Sequence, residues 1–321
     1  MQIDLRTIYE QVDTCLSRLT VPQYQPGRSI VTSCYAGELA SGYVLMRELI
    51  ELKVTLPIEI FFRPGELSDQ QIALLRSPAP HQISVHEIRG DAKDFVTQYG
   101  TKAGWSTKVY ALWESEHAEN LWLDCDSYPI RNPEFLFDDH EYQTKGSLFY
   151  RDVFSTDRAN RYHDGAVMWR VFNVNPNDAE PFETGQFLLN KNQCWAELNL
   201  VKHYADNCEV YYHFGGDAET FRMAWQHWYL RNGGQAMYIN YHADPKVPYG
   251  FMPFGPFHKG RANQYHKWGG GTVMVQRDRN GLELFNHRNM EKFTLGDNPR
   301  YDDITNELRY HQHIDDLRRL I

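Results

Sequence analysis

The chain has 321 residues, a formal net charge of −9, 42% hydrophobic and 14% aromatic residues. This composition supports a sizeable core, carries no disorder signature, and argues against nucleic acid or an anionic membrane as the main partner. No stretch approaches the length of a membrane span and the five cysteines show no metal or redox spacing, so the expectation is a cytoplasmic protein with reduced thiols, no signal peptide and no anchor.

In chain order, Ile3, Leu5, Ile8, Val12 and Leu16 predict one short amphipathic helix over residues 1–20. Residues 29–34 read as a first strand, Tyr35-Ala36-Gly37 as a turn, and 38–52 as a helix with Leu39, Tyr43, Leu45, Met46 and Leu49 on its apolar face. This strand–turn–helix opening suits a nucleotide-binding unit. It lacks both Gly-x-Gly-x-x-Gly and the P-loop pattern, which argues against a classical dinucleotide or ATP site. Strands follow at 56–62 and 83–88, separated by a helix that Ser68 can cap. Residues 93–118 are expected to be largely helical. The alternation of strand and helix implies an α/β fold with a mostly parallel sheet.

Beyond residue 140 the pattern loosens. Residues 146–150 and 185–190 read as strands, 195–204 and 218–230 as helices, and 155–182 as irregular. Residues 244–271, rich in Pro, Gly, Phe and Tyr, suit a loop. Thr272–Gln276 and Leu282–Phe285 flank a turn at Asp278-Arg-Asn-Gly281 and predict a hairpin. A charged helical tail begins near Asp302.

The chemistry concentrates at Leu121-Trp-Leu-Asp124-Cys-Asp126, an apolar strand that ends in two acids. In an extended segment residues i and i+2 share a face, so both carboxylates meet one small volume, where like charges repel. A hard divalent cation resolves that conflict, and such ions are held by one or two carboxylates plus substrate phosphates. Asp-x-Asp also arises by chance in solvated loops. Its place at the carboxyl end of a strand, where open α/β sheets bind ligands, favours a metal–diphosphate site.

Several segments, in order, resemble the fungal α-mannosyltransferases that extend cell-wall mannan. They are Gly42-Tyr-Val-Leu-Met-Arg-Glu-Leu, Gly104-Trp-Ser-Thr-Lys108, Trp122-Leu-Asp-Cys-Asp126 and Ile130-Arg-Asn-Pro-Glu-Phe-Leu-Phe137. Glu183-Thr-Gly-Gln186, Gly216-Asp217-Ala-Glu-Thr-Phe221 and Phe285-Asn-His-Arg-Asn289 follow. The resemblance implies one GT-A glycosyltransferase domain across residues 1–321, with a nucleotide-binding half (about 28–140), a sugar-and-acceptor half (about 141–295) and a helical tail (296–321). It implies a retaining transferase that uses Mn²⁺ or Mg²⁺ and a nucleotide-diphospho-sugar, GDP-mannose or a UDP-hexose, to glycosylate a glycan. Members of that family are usually anchored in the Golgi, so a chain without an anchor resembles a soluble bacterial or viral relative.

The resemblance also assigns roles. Asp126 is the first metal ligand, Asp124 binds the metal or the donor ribose, and His287 is the candidate third ligand or, alternatively, a satisfied surface or core histidine. Asp217 is an active-site acid or, alternatively, a helix N-cap. Glu183 and Gln186 hydrogen-bond donor-sugar hydroxyls or are strand-edge polar residues. Lys108 pairs with a phosphate or is a solvated helix lysine. The residues themselves offer two more candidates: Tyr35, with Ala36 beside it, stacks on the base or packs in the core, and Trp268 with Gly269–Gly271 forms a lid over the diphosphate or a disordered linker. The competing readings are a nucleotide-sugar-binding protein without catalysis, and a transferase acting on protein or modified DNA.

Overall fold

The structure is a computed structural model and describes residues 5–17, 24–96, 102–152, 170–173, 182–213, 216–232, 246–250, 272–289 and 291–321. Its centre is a six-stranded sheet in the order β3-β2-β1-β6-β9-β8. The strands are β1 (Gln25–Ser33), β2 (Ile58–Phe62), β3 (Ile83–Glu87), β6 (His117–Leu123), β8 (Ser147–Arg151) and β9 (Phe182–Asn190). The first four run parallel, whereas β9 is antiparallel to both of its neighbours.

The near-continuous apolar runs follow from burial on both faces. Ile30, Ile58, Ile60, Leu121, Leu123 and Leu188 feed one core, beneath α3 (Leu39–Glu51), α4 (Asp69–Arg76) and α9 (Glu307–Leu320). The alternate residues Val31, Phe61, Trp122, Phe187 and Leu189 feed the opposite core. That core is covered by α5 (Ser106–Glu114), α7 (Trp195–Asp206), α8 (Ala218–Arg231) and the short α1 (Leu5–Glu10) and α2 (Val12–Ser17). Ser68 caps α4 in a reciprocal capping box with Gln71, as its sequence suggests.

A second, antiparallel sheet has the order β10-β11-β12-β7. Its members are β7 (Ser127–Pro129), β10 (Lys246–Gly250), β11 (Thr272–Arg277) and β12 (Glu283–His287). The expected hairpin is β11–β12, and Gly281 takes the left-handed φ of 77° that its turn requires.

Some expectations need correction. The N-terminal helix is two pieces, α1 and α2, interrupted at Gln11. Among the described residues of the segment 93–118, helix is confined to α5, with the small antiparallel pair β4 (Phe95–Val96) and β5 (Lys102–Ala103) before it. Gly104 in that stretch disfavours helix. Residues 246–250 form a strand, not a loop. The short helix α6 (His140–Lys145) lies between Asp126 and β8.

Candidate functional site

The two aspartates come together by a route different from strand alternation. β6 ends at Leu123, and residues 124–127 form a tight turn closed by Ser127 N donating to Asp124 O at 2.8 Å. The turn carries the chain from the central sheet into the second one, so Asp124 and Asp126 stand at the seam between the sheets. The antiparallel partner of β7 is β12, and His287 lies opposite Ser127. The next peptide is held as well: Arg288 N donates to Asp126 O at 2.9 Å. Side-chain ligand atoms of Asp124, Asp126 and His287 thereby fall within 4.8 Å of one another.

Asp126 is fully buried. His287 Nε2 stands 3.3 Å from its Oδ1, and Lys292 Nζ contacts Oδ2 while lying 2.8 Å from Glu38 Oε1. Burial alone would raise the Asp126 carboxyl, but the Lys292 ammonium and His287 outweigh it and hold the group well below the usual carboxylate range. Burial would lower the His287 ring, yet the Glu183 and Asp126 carboxylates push it well above the ordinary imidazole value. His287 Nδ1 is 2.8 Å from Glu183 Oε1, a close ion pair whose angle falls short of a hydrogen bond.

Asp124 faces a different cation. Its Oδ1 accepts from Trp122 Nε1 at 2.7 Å and lies 3.0 Å from Lys108 Nζ. Lys108, on α5, is buried; its ammonium also pairs with Asp217 Oδ2 at 2.6 Å and donates to Thr184 O at 2.8 Å. Burial disfavours that charge, but Asp124 and Asp217 overcompensate and raise the Lys108 pKa. Asp217 precedes α8 without capping it by side chain; its Oδ1 instead accepts from Thr184 Oγ1 at 3.1 Å. Asp217 thus holds the N-cap position by its backbone, Thr220 N donating to its carbonyl oxygen, while its carboxylate is turned to Thr184 and Lys108.

These groups open on a cleft of about 440 Å³. Glu38, Glu66, Asp94, Asp124, Asp126 and Asp217 line it, against Arg63, Lys108 and Lys292. Tyr35, half exposed, also lines it, as do Trp105 and the thiols Cys34 and Cys125. Arg63 pairs with Glu66 at 2.5 Å and with Asp94 in the same cleft.

The sequence candidates therefore divide. Asp124, Asp126, Asp217, Lys108 and Tyr35 line the cleft, and His287 meets the aspartates. Glu183 and Gln186 are buried beside His287 and Ser127 and do not line it. Ala36 is exposed on the turn after β1 and is not part of the lining either. Trp268 lies outside the described residues. Reading the sequence missed Lys292, Glu38 and the Arg63 cluster. Lys292 alone had a local signal, a cation five residues beyond His287; the others become visible only when the fold joins distant segments.

The donor set, two carboxylates and an imidazole, fits a Mn²⁺ or Mg²⁺ ion completed by phosphate oxygens. The Asp126 Oδ1 atom, buried with no hydrogen-bond donor among the described residues, fits as well.

Comparison with known proteins is consistent with this architecture. A family profile described as "Mannosyltransferase putative" matches residues 27–180, just under half of the chain. The Candida albicans protein named "Putative alpha-1,3-mannosyltransferase MNN14" is 28% identical over 158 residues, which are 46% of this chain and 22% of that protein. The chain thus spans about a fifth of the length of that relative. Among solved structures, galactosyltransferase LgtC in complex with donor and acceptor sugar analogs superposes with a TM-score of 0.54 at 12% identity. That match covers 90% of this chain and 95% of LgtC. A core-mannan synthase from Aspergillus fumigatus, solved in a Mn/GDP form, gives 0.43 at 9% identity over 66% of this chain and 72% of the synthase, too slight a likeness to build on. The chain has the GT-A fold, an α/β fold with a mostly parallel central sheet flanked by helices.

Proposed function

We propose that this chain is a metal-dependent, retaining glycosyltransferase that moves a hexose, mannose favoured, from a nucleotide-diphospho-sugar to a glycan hydroxyl. The glycosyltransferase class has the support of the fold, the family match and the fungal relative, and mannose that of the last two. The observation that carries the proposal is the convergence of Asp124, Asp126 and His287, the two aspartates lining a cleft where acids outnumber bases.

A nucleoside diphosphate is an anion, and this cleft repels anions unless positive charge is added. Mn²⁺ or Mg²⁺ held by Asp124, Asp126 and His287 would supply it, and would neutralise charge building on the departing diphosphate oxygen. Lys292, the more exposed of the two lysines in the cleft, gives the diphosphate a second positive partner. Tyr35 offers its ring to the base.

Asp217 faces the sugar. Thr184 and Lys108 each hold one of its oxygens, and a carboxylate so anchored serves better to stabilise developing positive charge at the anomeric carbon than to attack it. This favours a front-face course, in which the leaving diphosphate oxygen takes the acceptor proton.

The test is transfer of labelled hexose from GDP-mannose and UDP-hexoses to oligosaccharide acceptors, with Mn²⁺ or with chelator, in the wild type and Asp126→Ala. The proposal expects transfer that needs the metal and is lost in the variant. Undiminished transfer by Asp126→Ala would contradict it.

A further inference from the structure

The Glu-Thr-Gly-Gln segment begins β9, yet two of its polar side chains are buried away from the cleft. Glu183 Oε1 lies 2.8 Å from His287 Nδ1, the ring nitrogen opposite the one that faces Asp126. Glu183 is fixed in turn: Gly185 N donates to Oε1 at 2.6 Å and Gln186 Nε2 donates to Oε2. Gln186 Oε1 accepts from Ser127 Oγ at 2.8 Å, and Ser127 pairs in register with His287 across β7–β12. The chain Glu183–Gln186–Ser127–His287 therefore closes on itself.

Gly185 explains why the segment holds a glycine without a left-handed φ. A Cβ there would lie 2.4 Å from Glu183 Oε1, 2.4 Å from His287 Cε1 and 2.6 Å from Nδ1. Those distances leave no room for any side chain, so the carboxylate and the ring meet in the space that glycine vacates.

We infer that Glu183 is a positioning residue: seated over Gly185, it fixes the His287 ring so that Nε2 faces the Asp124–Asp126 pair. With the carboxylate 2.8 Å from Nδ1, the opposite edge of the ring, Nε2, is the one turned toward the Asp124–Asp126 pair. Partners of this kind, behind a metal-binding histidine, are worth about 10- to 100-fold in metal affinity. The inference rests on the metal site proposed above and moves Glu183 and Gln186 from the sugar to the histidine.

The test measures binding of Mn²⁺ alone, by electron paramagnetic resonance titration, to the full chain without nucleotide. Melting in chelator is the control for fold. Glu183→Ala is expected to weaken Mn²⁺ about 10- to 100-fold while melting in chelator within a few degrees of the wild type. Glu183→Gln, which keeps length and an acceptor oxygen, is expected to recover part of that loss, and it carries the test if the alanine variant does not fold. Gly185→Ala is expected to weaken Mn²⁺ in the same direction. Wild-type Mn²⁺ affinity in both Glu183 variants would overturn the inference and leave the metal site standing. A wild-type chain that binds no Mn²⁺ would overturn both.

Discussion

The two aspartates of the 124–126 turn are two residues apart in sequence and each is neutralised by a lysine, but in opposite ways. Asp124 pairs with Lys108, whose side chain is 6% exposed and locked among Asp124, Asp217 and Thr184. Asp126 pairs with Lys292, whose side chain is 39% exposed and whose partners besides Asp126 include Glu38 at the cleft wall. The first pair is scaffold, because moving Lys108 would strand two carboxylates. The second pair is exchangeable: Lys292 can swing toward solvent or a phosphate while Asp126 and His287 receive a cation. On the function proposed above, one short motif divides labour: Asp124, besides facing the metal, braces the turn, and Asp126 presents a ligand whose cation can be exchanged.

Breaking that division at its functional end gives the largest effect. Asp126→Ala should reduce metal-dependent nucleotide affinity by more than about 100-fold, or beyond detection, in calorimetric titration, because the most buried ligand is gone. Breaking the scaffold end should show in stability. Lys108→Met is expected to cost about 3–5 kcal/mol in denaturant unfolding, the usual result of stranding buried charge.

Glu197 on α7 sharpens the contrast, since it is a buried carboxylate whose oxygens have no hydrogen-bond partner among the described residues. Burial pushes its pKa up to about 7. The unfolded chain releases this proton near pH 4.5 and the folded chain keeps it to about 7, so stability must fall as pH rises between them. The loss is about 3 kcal/mol at about 1.4 kcal/mol per pH unit. Glu197→Gln should abolish it, and melts at pH 5 and pH 8 should show the variant gaining on the wild type only at the higher pH.

The smallest effect is expected at the exchangeable end. Lys292→Met should weaken nucleoside-diphosphate binding about 10-fold, one lost charge-assisted contact. It should cost less stability than Lys108→Met, since Asp126 keeps His287. If the two lysine variants lose equal stability, the division of labour is wrong.

Much of this was legible in the sequence, and what was hidden is physically intelligible. Strands buried on both faces announce themselves as apolar runs, which is why β1, β2, β6 and β9 could be read. The capping box of α4 is written in Ser68 and Gln71, and the hairpin in its Asp-Arg-Asn-Gly turn. The strand β7 was hidden because Pro129 reads as a breaker; at the end of a strand it is tolerated, and it lies opposite Phe285. The two-acid motif was visible as a ligand pair. That its geometry comes from a turn between two sheets was not, since only β12 reveals β7 as a strand. The charged partners of the two acids are residues 108, 287 and 292, which in turn meet the carboxylates of residues 217, 183 and 38, and no local pattern encodes such separations. The Gly in Glu-Thr-Gly-Gln has meaning only once His287 is seen to fill the space above it.

The most direct test of the central claim is thermal melting of the wild type and Asp126→Ala with GDP or UDP, each with Mn²⁺ or with chelator. A ligand that binds only the folded state raises the melting temperature by mass action. The account predicts a rise with one nucleotide that requires Mn²⁺ and is absent in Asp126→Ala. A rise of equal size in chelator, or one that survives in the variant, would contradict it.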